Sequence, residues 1–180
     1  MSFRMVLLLL ISLGIAGTSI SADGIPSRSL FAYKAFSEPG MAMEPTIAPG
    51  DIVYVDMTYF KANHPKVGDV VLYKVKSLAG PTMKRIIALG GNRVQIKDAK
   101  LMVDGRVVVE PYLKRGGAAT AYSKNWGPVK LPTGCIFLLG DFRDSSQDSR
   151  VDGCSSTPDL MGLARYILSA AGSREFHKVH

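Results

Sequence analysis

Past residue 23 the chain alternates short apolar runs with turn residues at a spacing that suits strands. "DIVYVD" (51–56) and "DVVLYKV" (69–75) are rich in β-branched and aromatic residues, and each follows a glycine, Gly50 and Gly68. "MKRIIA" (83–88) and "RVQIK" (93–97) flank Gly90 and Gly91. In "LMVDGRVVV" (101–109) Asp104 and Gly105 stand between apolar runs, which predicts a hairpin. "CIFLL" (135–139) predicts a short strand buried on both faces. Only residues 160–171 come near a helical period. Residues 110–132 are richer in Gly, Lys, Ser and Ala and read as a long loop, and the tail "SREFHKVH" (173–180) is expected to fray. The fold class implied is mainly β, with short helical segments.

The first residues follow a different pattern. Arg4 precedes an apolar run from Met5 to Ile20, and "SISA" then brings small residues before Asp23. That is the layout of a secretory signal over residues 1–22, with Ala22 as the cleavage point. The run is shorter than the roughly 20 apolar residues of a membrane span, so an uncleaved anchor is the alternative. At 180 residues the remainder accommodates one domain, 23–172, followed by the tail. Export fits the cysteine content, because Cys135 and Cys154 are the only two and a lone pair in an oxidising compartment is a candidate disulfide. Two buried free thiols are the other reading. The net charge of +7 suggests an anionic membrane surface or an acidic partner, or simply a solvated basic exterior. The cations are scattered, without a basic run or interleaved aromatics, which argues against nucleic acid as a partner.

Two places can carry chemistry. In an extended "MKRIIA", Lys84 shares a face with Ile86 and Ala88, while Arg85 points away with Met83 and Ile87. An ammonium among apolar neighbours is desolvated, which lowers its pKa and makes Lys84 a candidate general base. The bland alternative is a surface lysine whose stem covers apolar neighbours. "GDFRDSSQDSR" (140–150) gathers Asp141, Asp144, Asp148, Arg143, Arg150 and three serines directly after an apolar strand. This is either a solvated acidic loop or a hydrogen-bonded network in which Asp148 pairs with Arg150. His64, His177 and His180 have no metal-ligand spacing, and "LGGN" lacks the lysine and helix of a phosphate loop. Neither a metal nor another cofactor is expected.

Three stretches, taken in order, resemble the signal peptidase I family of Ser/Lys-dyad serine peptidases. They are "AMEPTIAPGD" (42–51) against S-M-x-P-T followed by G-D, "MKRIIALGGN" (83–92) against K-R-x-x-G-x-P-G-D, and "GDFRDSSQDSR" against G-D-N-R-D-N-S-x-D-S-R. The resemblance spans about Gly40 to Ala170 and implies an antiparallel β signal-peptidase fold. Small size and a single N-terminal segment look most like the TraF-type peptidases of conjugative plasmids. That branch implies processing of exported pilin precursors at the periplasmic face of the inner membrane. Carried over by position, Lys84 is the general base, and Ala42 stands where the nucleophilic serine belongs. Asp148, with Ser146, Arg150 and Asp141, supports the dyad; Met43 and Pro45 shape the first block. The Ala42 amide is an oxyanion donor, and Gly40 falls where some relatives place a second donor, a serine hydroxyl.

The departures differ in weight. "LGGN" in place of G-x-P-G-D, and Phe142 in place of asparagine, are branch variation. Ala42 removes the hydroxyl that the reaction requires, and loss of a protease nucleophile costs on the order of a million-fold in rate. Ser37 lies outside the block and does not replace it. The chain thus reads as a peptidase of this kind without its nucleophile, or as an inactive assembly factor that binds pilus or secretion components.

Overall fold

The computed structural model describes residues 32–75, 80–113, 120–170 and 176–179. The proposed signal segment, 1–22, lies outside the described residues. Among the described residues eleven strands form two antiparallel sheets. The larger contains β1 (Tyr33–Ser37), β2 (Ile52–Asp56), β3 (Val70–Tyr73), β4 (Thr82–Leu89), β9 (Ile136–Leu139), β10 (Leu160–Leu168) and β11 (Phe176–Lys178). Its order is β1-β2-β10-β3-β4-β9, with β11 also on β10. The smaller sheet, in the order β7-β6-β5-β8, contains β5 (Arg93–Lys97), β6 (Lys100–Val103), β7 (Arg106–Val107) and β8 (Trp126–Lys130). Two single-turn helices, α1 (Ala121–Lys124) and α2 (Ser149–Asp152), complete the regular elements, together with short 3-10 turns.

Alternation along β3 explains the core. Val70 and Leu72 face a cluster with Met43, Ile47, Val53, Val55 and Met83. Val71 and Tyr73 face the other way, onto Ile86, Leu138, Leu160 and Leu163. A third cluster joins the sheets: Ile87, Ala88, Phe137 and Leu139 pack against Val94, Ile96 and Leu101. The register shift between Ile86 and Ala88 in the β4–β9 ladder sends Ile87 and Ala88 into the same cluster. Lys84 therefore keeps the side of Ile86, but the expected alternation stops there. Both faces of β4 are buried, so Arg85 points into protein as well, 1% exposed.

Residues 160–170, the described part of the stretch 160–171, are not helical. β10 is a central strand, paired with β3 at Leu160–Leu163 and with β2 at Leu163–Leu168. A strand covered on both faces carries an apolar run whose period does not separate it from a helix. The stretch 110–132 likewise contains α1 and β8 rather than loop alone. β8 is hidden by Gly127 and Pro128, which break the alternation; its Trp126 ring packs 5.0 Å from Phe137. In the tail, Phe176–Lys178 pairs with β10 instead of fraying.

Candidate active site

The loop from Glu38 to Asp51 is the excursion between β1 and β2, and its base continues their ladder. Glu38 N–H donates to Asp51 O at 3.1 Å and Gly50 N–H to Glu38 O at 2.8 Å. Asp51 fixes the far side, accepting from Ala48 N–H and from Ala170 N–H, each at 2.9 Å. Met43 and Ile47, both fully buried, pin the middle of the loop to the core. Ala42 directly precedes the first of these anchors, Met43, whereas Met41 on its other side is exposed. The Glu44–Pro45 peptide is cis, and Pro45 itself is exposed.

Ala42 meets the 140–150 loop directly. Its carbonyl accepts from Phe142 N–H at 3.0 Å. Gly140 is packed so closely that a Cβ there would lie 2.5 Å from Ala42 O and 2.2 Å from Ser146 Oγ. Ala42, Gly140 and Ser146 therefore share one small space. The Ala42 amide has no acceptor among the described residues.

Lys84 is 2% exposed. Its ammonium turns back along its own strand, donating to Met83 O at 3.0 Å and Thr82 Oγ1 at 3.2 Å. Thr82–Lys84 pair with β3 on one side, while β9 joins the other side only from Arg85 onward. Burial holds the lysine pKa below its ordinary value, and the charge of Glu38, then those of Asp148, Asp152 and Asp141, oppose this. Met43 and Met83, the chain neighbours of Ala42 and Lys84, lie in the same core cluster.

Each of the three sequence blocks contributes one residue to a single buried clamp. Arg85 grips Asp141 with two bonds, Nε to Oδ1 at 3.0 Å and Nη2 to Oδ2 at 2.8 Å. Thr46 donates its hydroxyl to Asp141 Oδ2 at 2.5 Å and accepts from Arg85 Nη2 at 3.2 Å. Arg85 also donates to Gly68 O at 2.9 Å and lies over the Tyr112 ring, 4.0 Å from its centre. A guanidinium fits this position because its planar fork satisfies a carboxylate, a carbonyl and a ring face together.

A second network shapes the 140–150 loop. Asp148, fully buried, caps α2 and receives Arg150 Nε and Nη2, each at 2.8 Å, and Gly140 N–H at 3.1 Å. Arg150 Nη2 also donates to Arg143 O at 2.7 Å. Arg143 pairs with Glu110 and donates Nε to Gly140 O at 3.1 Å. Ser149 Oγ accepts from Leu138 N–H at 2.9 Å. The dense charge is thus an internal network, not a solvated loop. Cys135 and Cys154 are bonded, with a Cα–Cα distance of 5.2 Å, tying the end of the loop to the start of β9.

Glu38 is a residue that the sequence analysis missed. It is 6% exposed, accepts from Gly40 N–H at 3.1 Å, and its pKa is raised by burial. The period of β1 could have found it, since Glu38 extends the buried side begun by Phe36. The Gly40 amide is consequently engaged by Glu38.

Residues 4–169 match the family described as signal peptidase, peptidase S26. Signal peptidase I T of Bacillus subtilis is 30% identical over 143 residues, covering 76% of this chain and 74% of the relative. Signal peptidase I of Bacillus licheniformis is 34% identical over 125 residues, 67% of each chain. The crystal structure of a signal peptidase I from Enterococcus faecalis has the same fold, with a TM-score of 0.50 at 24% identity over 56% of this chain and 97% of that one. With motif order and fold in agreement, the chain belongs to the signal peptidase family, peptidase S26.

Proposed function

We propose that this chain has the scaffold of an endopeptidase acting on exported precursors, built around a Ser/Lys dyad whose serine is replaced by Ala42. The observation that carries the reading is the buried, desolvated Lys84 ammonium beside a strand edge that β9 leaves open. A segment of precursor laid along Thr82–Lys84 would continue the sheet as an added strand and bring its scissile carbonyl between Ala42 and Lys84. With a serine at position 42, neutral Lys84 would take the hydroxyl proton as Oγ attacks that carbonyl. The Ala42 amide would then donate to the oxyanion. Asp148, Ser146 and Arg150 would hold the loop that closes this space. As written, the chain has no Oγ at position 42 and forms no acyl-enzyme.

The finer reading follows the conjugal branch: a pilin precursor as substrate, at the periplasmic face of the inner membrane. It rests on the resemblance of the sequence to that branch. Ala42 favours a second reading, a periplasmic assembly factor that binds such precursors without cutting them. One experiment separates the two. The chain, its Ala42→Ser variant and the double variant Ala42→Ser, Lys84→Met are incubated with a candidate pilin precursor and the products are read by mass spectrometry. Cleavage by Ala42→Ser alone establishes the endopeptidase scaffold. Absence of cleavage by Ala42→Ser of a precursor that binds establishes the assembly factor. Comparable cleavage by the chain as written overturns the assignment of Ala42.

A further inference from the structure

The outer face of the smaller sheet has an arrangement that folding alone does not favour. Its inner face is accounted for, since Val94, Ile96 and Leu101 form the joint with the larger sheet. On the outer face the register sets Lys97 directly opposite Lys100, and Arg93 directly opposite Lys130. All four are exposed. Like charges facing each other across a ladder destabilise it, yet two such pairs stand on one sheet. Between them runs a row of Gln95, Met102 and Val107, without a charge. Val107 is 57% exposed, and Val109, just past the end of β7, is 85% exposed. The carboxylates of this region, Asp98 and Asp104, lie in the turns at the strand ends. Asp104 is occupied there, accepting from Arg93 N–H and Asn92 Nδ2, each at 2.7 Å.

We propose that this face docks on an anionic lipid surface, the cation pairs on headgroup phosphates and Met102, Val107 and Val109 against the boundary of the acyl region. Charge complementarity selects the occupant: two flanking rows of cations around an uncharged strip match a flat sheet of phosphates over hydrocarbon. A single acidic peptide would engage one row and leave the valines exposed. The Lys130 ammonium also donates to Gly91 O, which fixes it at the rim of the face. The proposal rests on the exported location given above but not on cleavage, so the two fail independently.

The test is hydrogen exchange by mass spectrometry on the full chain, with vesicles of phosphatidylcholine alone and of phosphatidylcholine and phosphatidylglycerol in equal parts, at low salt. The apolar N-terminal segment can enter both vesicles, so the readout is local. Amides of residues 93–109 are expected to exchange more slowly on the anionic vesicles and not on the neutral ones. Lys97→Gln with Lys100→Gln should weaken docking of this face roughly 25-fold, about fivefold per cation, and so abolish the slowed exchange of residues 93–109 on anionic vesicles. Equal protection on both vesicles, protection confined to other strands, or undiminished protection of residues 93–109 in the double variant overturns the proposal. Protection by soluble polyglutamate equal to that by anionic vesicles assigns the face to an acidic protein instead, and also overturns it.

Discussion

Replacing Asp141 with alanine leaves the Arg85 guanidinium buried with two of its bonds cut, and Thr46 without the acceptor for its hydroxyl. Both members of the pair are almost inaccessible, at 2% and 1% side-chain exposure, so water does not replace the lost carboxylate. Removing one partner of a buried ion pair costs about 3–5 kcal/mol. The contacts to Gly68 O, to Thr46 Oγ1 and to the Tyr112 ring survive, and they place the expected loss near the lower end, about 3 kcal/mol. For a domain of this size that is a fall in Tm of about 6–12 °C. Urea unfolding measures it directly, with Trp126, the single tryptophan, packed on Phe137 as the fluorescent reporter. The double variant Arg85→Met, Asp141→Leu removes both charges together and should be more stable than Asp141→Ala. A loss below about 1 kcal/mol for Asp141→Ala, against the 3–5 kcal/mol of a broken buried pair, or a double variant less stable than the single, would refute the clamp as the element holding the three blocks together.

Two further substitutions test the site. Gly140→Ala puts a methyl group where Ser146 Oγ and Ala42 O already stand, at 2.2 and 2.5 Å. It should cost about 1–3 kcal/mol by overpacking and abolish any cleavage restored by Ala42→Ser; normal stability and cleavage would show that the loop shifts freely. Lys84 binds its proton less readily folded than unfolded, because burial lowers its pKa. The unfolded chain therefore holds more protons between that lowered pKa and about 10.4, and stability rises with pH across this window. Lys84→Met should flatten the rise, measured by urea midpoints up to pH about 9, below the range in which tyrosines titrate; an unchanged slope would contradict the buried lysine.

Much of the fold was legible because β2, β3, β5, β6 and β9 combine β-branched or apolar runs with glycine punctuation. The strands that escaped did so for physical reasons. β10 is covered on both faces, which erases its alternation, and β8 carries Gly127 and Pro128 in its middle. At the site, the pairing of Asp148 with Arg150 was readable because the two stand two residues apart after an apolar strand. The clamp was not, because Thr46, Arg85 and Asp141 meet only through the folded order of the strands. Alternation set Arg85 on the face opposite Lys84, with Met83 and Ile87, but did not show that this face is buried as well. Glu38 was passed over because a carboxylate before a Pro-Gly pair ordinarily belongs to solvent.

The clamp and the proposed dyad use different residues of the same three blocks. Thr46, Arg85 and Asp141 hold the architecture, whereas Ala42 and Lys84 stand beside it. A change at position 42 takes nothing from the clamp, so the fold has no stake in whether a hydroxyl is present. Loss of the nucleophile is therefore a step that a lineage can take, or reverse, without first rebuilding the protein around it. Selection on assembly and selection on chemistry act here on separate side chains a few positions apart.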